Sequence, residues 1–359
     1  MIHERSFTRQ WVSTVNERQG WGRSDVQLKN IEKATMALHL LEQLVLTGLP
    51  FIFRGGTSLF LHLQRIERFS VDIDIIVAPG IDEQAVTAAL EKVVQSSPIF
   101  TSYGEDIRRN STQYSHFRFY YRPYVEPVNE VPPYVLLDIA RAENPYIRLE
   151  KLPIKADVLD NTAPDVLVTI PSVNGLLADK LTAFAPETIG VPITAEPGSR
   201  PKRVEALKQL FDVSNLFALC NDLEEIRGTY HMIALQEIHT RNMTIKPSDV
   251  LTDTMNYALL LGHMGNRDSS RYSLLAKGIP EFRRFVANQQ FSALDAARCA
   301  GKAAYIVRLI RETGIQPIER FSFDVDMAKW EITQKEYMDI NSLKMIDPEA
   351  FFYWYHALI

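Results

Sequence analysis

The sequence predicts an α+β protein, a mixed sheet with helices followed by a helical C-terminal region. Three observations carry that expectation. Short apolar runs with strand character recur between Phe51 and Ala140. Beyond Pro171 the apolar residues recur at helical spacing instead. Between these regimes of pattern, a Gly-rich turn, Arg54-Gly55-Gly56-Thr57-Ser58, is followed fifteen residues after Gly56 by Val71-Asp72-Ile73-Asp74-Ile75. The expected division is an N-terminal helical segment over 1–46 packing on a core at 47–170, then a helical domain over 171–359.

Each element follows from local pattern. Ser24 precedes a long helix from about Val26 to Leu46, in which Ile31, Ala34, Leu38, Leu41 and Val45 form one buried stripe. Thr47-Gly48-Leu49-Pro50 ends it, and Phe51-Ile52-Phe53 is a short buried strand that delivers the chain to Gly55-Gly56. Thr57 to Leu63 is expected as the helix behind the turn, and Arg68 to Val77 as the strand bearing the two aspartates. Pro79-Gly80 breaks that strand, and Asp82 to Gln95 is amphipathic with Val86, Ala89, Leu90 and Val93 inward.

His116 to Arg122 alternates, with Phe117, Phe119 and Tyr121 on one face and His116, Arg118, Tyr120 and Arg122 on the other. A loop rich in proline (Pro123, Pro127, Pro132, Pro133) leads to the strand Tyr134 to Ala140. Helices follow at Val173–Phe184 and Arg203–Leu219, separated by a loop from Pro186 to Lys202 that carries Gly190 and Gly198. The remainder is helical, with breaks at Gly262–Gly265, Gly278–Pro280 and Gly314–Pro317. His263, without a companion at metal spacing, is expected to be structural, and the Phe351–Tyr355 aromatic cluster to be core or a docking surface.

Bulk properties exclude several classes. With 359 residues, 46% of them hydrophobic, the chain can bury a substantial core. Met1–Gln10 has no apolar signal core, and no apolar run approaches the roughly twenty residues that span a bilayer, so no membrane association is expected. Cys220 and Cys299 are too few for a disulfide framework and are expected to be small core residues, with the cytoplasm as the expected location. A net charge of −5 opposes indiscriminate nucleic-acid binding. Arg267 to Arg311 departs from it, with nine basic residues against three acidic ones, which fits either solvated helix faces or a platform for RNA phosphates.

The chemistry sits in the turn and the aspartates. Alternation along a strand points Asp72 and Asp74 the same way, with Val71, Ile73 and Ile75 toward the core. Two adjacent carboxylates repel, and a hard cation such as Mg²⁺ relieves this by taking carboxylate and phosphate oxygens together. Glycines let backbone approach a phosphate closely. Asp138 is the one acid in a strand of Val, Leu and Ile, which makes it a third candidate metal carboxylate or an acid paired with Arg141 or another cation. Ser70 faces the same side as the carboxylates, within reach of a γ-phosphate. There is no G-x-x-x-x-G-K-[ST] or G-x-G-x-x-G in this segment, so the combination implies metal-dependent nucleotidyl transfer rather than a P-loop or dinucleotide fold.

Gly55-Gly56-Thr57-Ser58-Leu59, then Ile66-Glu67-Arg68-Phe69-Ser70-Val71-Asp72-Ile73-Asp74, resembles the AbiEii/AbiGii nucleotidyltransferase toxins, within the DNA polymerase β-like nucleotidyltransferase superfamily. The similarity is densest over Ile31–Ile76 and thins after about Leu219. The resemblance implies a polymerase β-like core with catalytic Asp72, Asp74 and Asp138 holding Mg²⁺ or Mn²⁺. Gly55, Gly56, Thr57, Ser58, Arg68 and Ser70 would bind the nucleotide. Asn174 to Ala183 resembles a family helix whose lysine enters the site, which gives Lys180 a catalytic and nucleotide-binding role where composition alone suggests a surface lysine. Asp212 aligns with a family aspartate, which implies a catalytic role in orienting Lys180 or the nucleotide; the residues themselves allow an i,i+4 pair with Lys208.

The resemblance further implies an NTP donor (GTP or a pyrimidine triphosphate), an RNA acceptor such as the 3′ end of tRNA, and a cognate antitoxin protein. The alternatives are a nucleotidyltransferase acting on an antibiotic or metabolite hydroxyl, which an acidic pocket would favour, and an inactive binding module, against which Asp72, Asp74 and Lys180 stand.

Overall fold

The computed structural model describes every residue except 22–24, 108–113, 126–131, 195–200 and 315. Ser24, Pro127, Gly198 and part of the break at 314–317 therefore lie outside the described residues. The chain forms two compact units. One joins Met1–Asn144, Leu149–Pro171 and Phe285–Gln289; the other joins Pro145–Arg148, Ser172–Arg284 and Gln290–Ile359.

The first unit is built on a five-stranded mixed sheet. Its elements are α1 (Arg9–Gln19), α2 (Asp25–Thr47), β1 (Ile52–Arg54), α3 (Leu59–Leu63), β2 (Ile73–Val77), α4 (Glu83–Ser96), β3 (Phe100–Glu105), β4 (Tyr114–Tyr121), β5 (Tyr134–Arg141), β6 (Leu149–Pro153) and β7 (Leu167–Pro171). The sheet order is β1-β2-β5-β4-β3, with β6 and β7 as a separate antiparallel pair. Among the described residues only β2 and β5 run parallel. A parallel pair needs a long crossover, and here α4, β3 and β4 supply it.

One face of the sheet is the core. Phe53, Ile73, Ile75, Leu137, Ile139 and Phe119 are buried there with Ile31, Ala34, Leu38 and Leu41 of α2 and Val86, Leu90 and Val93 of α4. Alternation then forces the residues between them onto the opposite face. Asp82 caps α4, accepting from the Gln84 amide at 3.0 Å. β2 is shorter than the expected strand from Arg68. Residues 66–69 are instead clamped by a segment more than two hundred residues away. The Phe69 amide donates to the Phe285 carbonyl at 2.7 Å, the Ala287 amide to the Glu67 carbonyl at 2.9 Å, and Arg68 bridges Val286. No local pattern could signal a partner so distant.

The second unit carries α5 (Val173–Ala183), α6 (Arg203–Phe217), α7 (Leu223–Thr240), α8 (Pro247–Gly262), α9 (Ser269–Ala276), α10 (Ile279–Phe282), α11 (Ala293–Arg311), α12 (Leu343–Ile346) and α13 (Pro348–Leu358), but 316–337 form no helix where the expected helical run resumed after Pro317. α11 is its centre, packed by α6, α8 and α13. The terminal aromatic cluster is core: Phe351, Phe352, Tyr353 and Trp354 are buried, and the Trp354 indole donates to the Ala297 carbonyl at 3.0 Å. Cys220 and Cys299 are free and buried. His263 is structural, its Nδ1 2.9 Å from Asp339.

The structure pairs part of the basic run. Arg267 pairs with Asp339 at 3.2 Å, Arg271 with Glu187 at 3.7 Å, Arg298 with Asp347 at 2.6 Å, Lys302 with Glu349 at 2.8 Å and Arg308 with Glu312 at 2.6 Å. These five of the nine cations answer acids of their own unit as paired helix faces, Arg311 donates to Thr252, and Lys277, Arg283 and Arg284 are exposed, so both readings of the run stand. Among the described residues no helix is long and apolar enough to cross a membrane.

Candidate active site

Sheet register assembles the site on the face away from the core. Arg54 of β1 lies opposite Asp74 of β2, Asp74 opposite Asp138 of β5, and Asp138 opposite His116 of β4. Residues in register on neighbouring strands share a face and stand about 5 Å apart. Asp74 and Asp138 are therefore immediate neighbours, with a cationic or titratable side chain on either flank.

The Gly-rich turn closes over this row from the β1 end. Gly55 has φ +82°, in the left-handed region, and a Cβ there would lie 1.9 Å from Asp74 Oδ2. Only glycine permits both the backbone turn and the carboxylate's approach. A Cβ on Gly56 would lie 2.6 Å from Arg68 Nη2 and 2.6 Å from Ser70 Oγ. Asp74, Arg68 and Ser70 thus converge on the two glycines.

Thr57 and Ser58 are placed differently from expectation. Both are fully buried. Thr57 donates to the Asp72 carbonyl at 2.6 Å, and Ser58 donates to the Gly55 carbonyl at 2.7 Å. Their hydroxyls brace the turn and the backbone of Asp72 instead of opening toward a ligand. The helix behind them, α3, has five residues and begins only at Leu59. Asp72 precedes β2 and is exposed. Arg68 is buried, with Nη1 3.3 Å from the Phe69 carbonyl.

Asp138 has a partner, and it is His116. His116 Nδ1 lies 2.7 Å from Asp138 Oδ1. Facing a carboxylate, that nitrogen carries the proton and donates. Arg141, the partner considered from sequence, donates to the Ile81 carbonyl at 2.9 Å. Sequence reasoning placed His116 on the correct face of its strand, yet gave no sign that register would set it against Asp138. Arg54 was likewise visible only as part of the turn.

The second unit carries the other two candidates. Lys180 on α5 and Asp212 on α6 are buried and form an ion pair at 3.3 Å, with Lys180 Nζ also donating to Gln209 Oε1 at 3.2 Å. The pair joins two helices where an i,i+4 contact within α6 was the local alternative. Next to Lys180 in sequence, Asp179 accepts from the Tyr146 hydroxyl at 2.9 Å.

The donor set of the carboxylate row decides whether it suits a divalent cation. Among the described residues no group of three or more His, Cys, Asp or Glu side chains is placed to hold a metal ion. Mg²⁺ in phosphoryl-transfer sites uses one or two carboxylates and completes its shell with water and substrate phosphates. Asp74 and Asp138, adjacent in register beside an exposed Asp72, fit that open arrangement.

Two solved structures align with the chain at 15% identity. JHP933 from Helicobacter pylori gives a TM-score of 0.42, covering 78% of this chain and 92% of that one. MenT4, the nucleotidyltransferase toxin Rv2826c from Mycobacterium tuberculosis H37Rv, gives 0.46, covering 84% and 99%. A search of curated proteins finds no match. The assignment rests on the sequence profile described as nucleotidyl transferase AbiEii toxin, type IV TA system, which matches residues 39–288. That span is well over half of the 359 residues and takes in the Gly-rich turn, the carboxylate row and the Lys180–Asp212 pair, so the chain belongs to the AbiEii nucleotidyltransferase toxins of type IV toxin–antitoxin systems.

Proposed function

We propose that this nucleotidyltransferase moves a nucleoside monophosphate from an NTP to an RNA hydroxyl, the 3′ end of tRNA being the favoured acceptor, and that it requires Mg²⁺ or Mn²⁺. The observation that supports this best is the register row Arg54–Asp74–Asp138 with Asp74 packed against Gly55. It puts two acids and a basic side chain beside backbone that a phosphate can approach.

In the reaction the acceptor oxygen bonds to the α-phosphorus while the bond from that phosphorus to the bridging oxygen breaks. Pyrophosphate leaves, and the hydroxyl proton passes to Asp138. A bound divalent cation would be held by Asp72, Asp74 and Asp138, and it supplies charge neutralisation and a more acidic attacking hydroxyl. Gly55 and Gly56 admit the phosphates, with Arg68 and Ser70 beside Gly56. Thr57 and Ser58 hold the turn in shape. His116 fixes the rotamer of Asp138. The family resemblance gives Lys180, paired with Asp212, the role of offsetting charge on the leaving pyrophosphate.

A protein antitoxin is the partner that a type IV system implies. An inactive binding module is set aside by membership in a family of enzymes and by the intact carboxylates. The test is incubation with each α-labelled NTP and total tRNA, with and without a chelator. Label entering RNA from one NTP, and only without chelator, is the expected result. Label that stays out of RNA in every reaction would refute the acceptor assignment and point to a small-molecule hydroxyl.

A further inference from the structure

β4 and β5 carry aromatic side chains on the same face as the catalytic row. Arg118 lies opposite Leu136, and Tyr120 opposite Tyr134, continuing the row His116–Asp138 along the sheet. The Tyr120 and Tyr134 rings meet edge to face at 6.0 Å. The Arg118 guanidinium lies 5.1 Å from the Tyr134 ring centroid and is held there by Asp106 at 2.8 Å. On the other side of the row Tyr114 stacks parallel to the His116 ring at 6.4 Å. Tyr114 and Tyr134 remain 36% and 39% exposed, although the core-side rings Phe119 and Tyr121 of the same sheet are buried.

These rings lie on the face opposite the core, with Tyr114 and Tyr134 open to solvent. The geometry points to a binding site for the bases of a single-stranded 3′ end, made by Tyr114, His116, Arg118, Tyr120 and Tyr134. The inference rests on the proposed RNA acceptor and deepens it. The Gly-rich turn lies over β1 and β2, so the donor phosphates occupy that side of the row. The acceptor must approach from β5 and β4, where Asp138 receives its proton.

Four residues of strand separate Tyr120 from His116, a distance of about 13 Å, which nucleotides preceding the reacting end can reach. Ring faces and a guanidinium plane stack on any base, so this strip supplies affinity with little sequence preference. Arg118 is already paired with Asp106, which makes stacking rather than charge the principal attraction.

The test compares steady-state label transfer to total tRNA by the wild type, Tyr134→Ala, Tyr134→Phe and the double variant Tyr120→Ala/Tyr134→Ala. Circular dichroism melts check folding. Tyr134→Ala is expected to raise KM for tRNA about tenfold and the double variant further, with KM for the NTP unchanged. Tyr134→Phe, which keeps the ring, should remain near wild type. Folded alanine variants with wild-type KM for tRNA would overturn the inference while leaving the RNA acceptor standing. Failure of the wild type to label any RNA would remove the acceptor reading and this inference together.

Discussion

At the scale of single residues, Gly55 carries the tightest constraint in the site. Its φ is +82°, and a Cβ added there would meet Asp74 Oδ2 at 1.9 Å, which leaves no room for a methyl group. Gly55→Ala should cost about 1–2 kcal/mol from backbone strain alone, and should displace Asp74 from the row. The check is a thermal melt paired with a transfer assay, in which activity falls much further than stability. The glycines and the aspartates were legible in the sequence because turn chemistry and alternation are local. The inward hydroxyls of Thr57 and Ser58 were not, since their acceptors, the Asp72 and Gly55 carbonyls, are fixed only once the turn closes. The His116–Asp138 contact depends on the register of β4 against β5 and leaves no trace in either strand alone.

Between elements, two contacts invite measurement. Lys180 and Asp212 tie α5 to α6 while buried. Removing the Lys180 charge takes an ion-pair partner from the buried Asp212, so Lys180→Met should destabilise by about 1–3 kcal/mol. Replacing both, as Lys180→Met/Asp212→Leu, should recover most of that loss in a denaturant titration yet remain inactive. Recovery of activity as well would show the pair to be purely structural. Both helices were legible from apolar spacing, and the pair only through the family resemblance, which set Asp212 to orient Lys180 or the nucleotide; spacing within α6 alone offered Lys208 as the nearer partner. A second contact joins α8 and α13. A Cβ on Gly262 would lie 2.4 Å from Trp354 Cζ2. Gly262→Ala is expected to cost about 1–3 kcal/mol through overpacking, read as a lowered melting temperature.

Across the whole molecule, α+β character with a helical C-terminal region followed from composition and period. What escaped was long-range closure: residues 285–289 return to the sheet unit and clamp the segment that leads into Asp72. The charges of the helical unit are similarly non-local. Arg267 and His263 both reach Asp339, more than seventy residues on. Partial burial pushes the Asp339 carboxyl up, but hydrogen bonds from His263 and Arg267 outweigh it and bring it below its ordinary 3.8. A carboxyl depressed in the folded state stabilises above its unfolded value and loses that contribution as pH falls through the folded one. Stability should therefore drop below about pH 4, and Asp339→Asn should flatten that acid limb in pH-dependent melts. An unchanged limb would place the acid sensitivity elsewhere.

Under the proposed function, Asp74, set beside Asp138 and against Gly55, is the centre of nucleotidyl transfer. The most direct measurement is the rate of label transfer from α-labelled NTP by Asp74→Asn beside the wild type, with a melt to confirm the fold. The expected result is a folded variant slowed by roughly a hundred- to a thousandfold or more, since a charge at the reacting phosphate is lost. A folded Asp74→Asn enzyme transferring label at the wild-type rate would contradict the account.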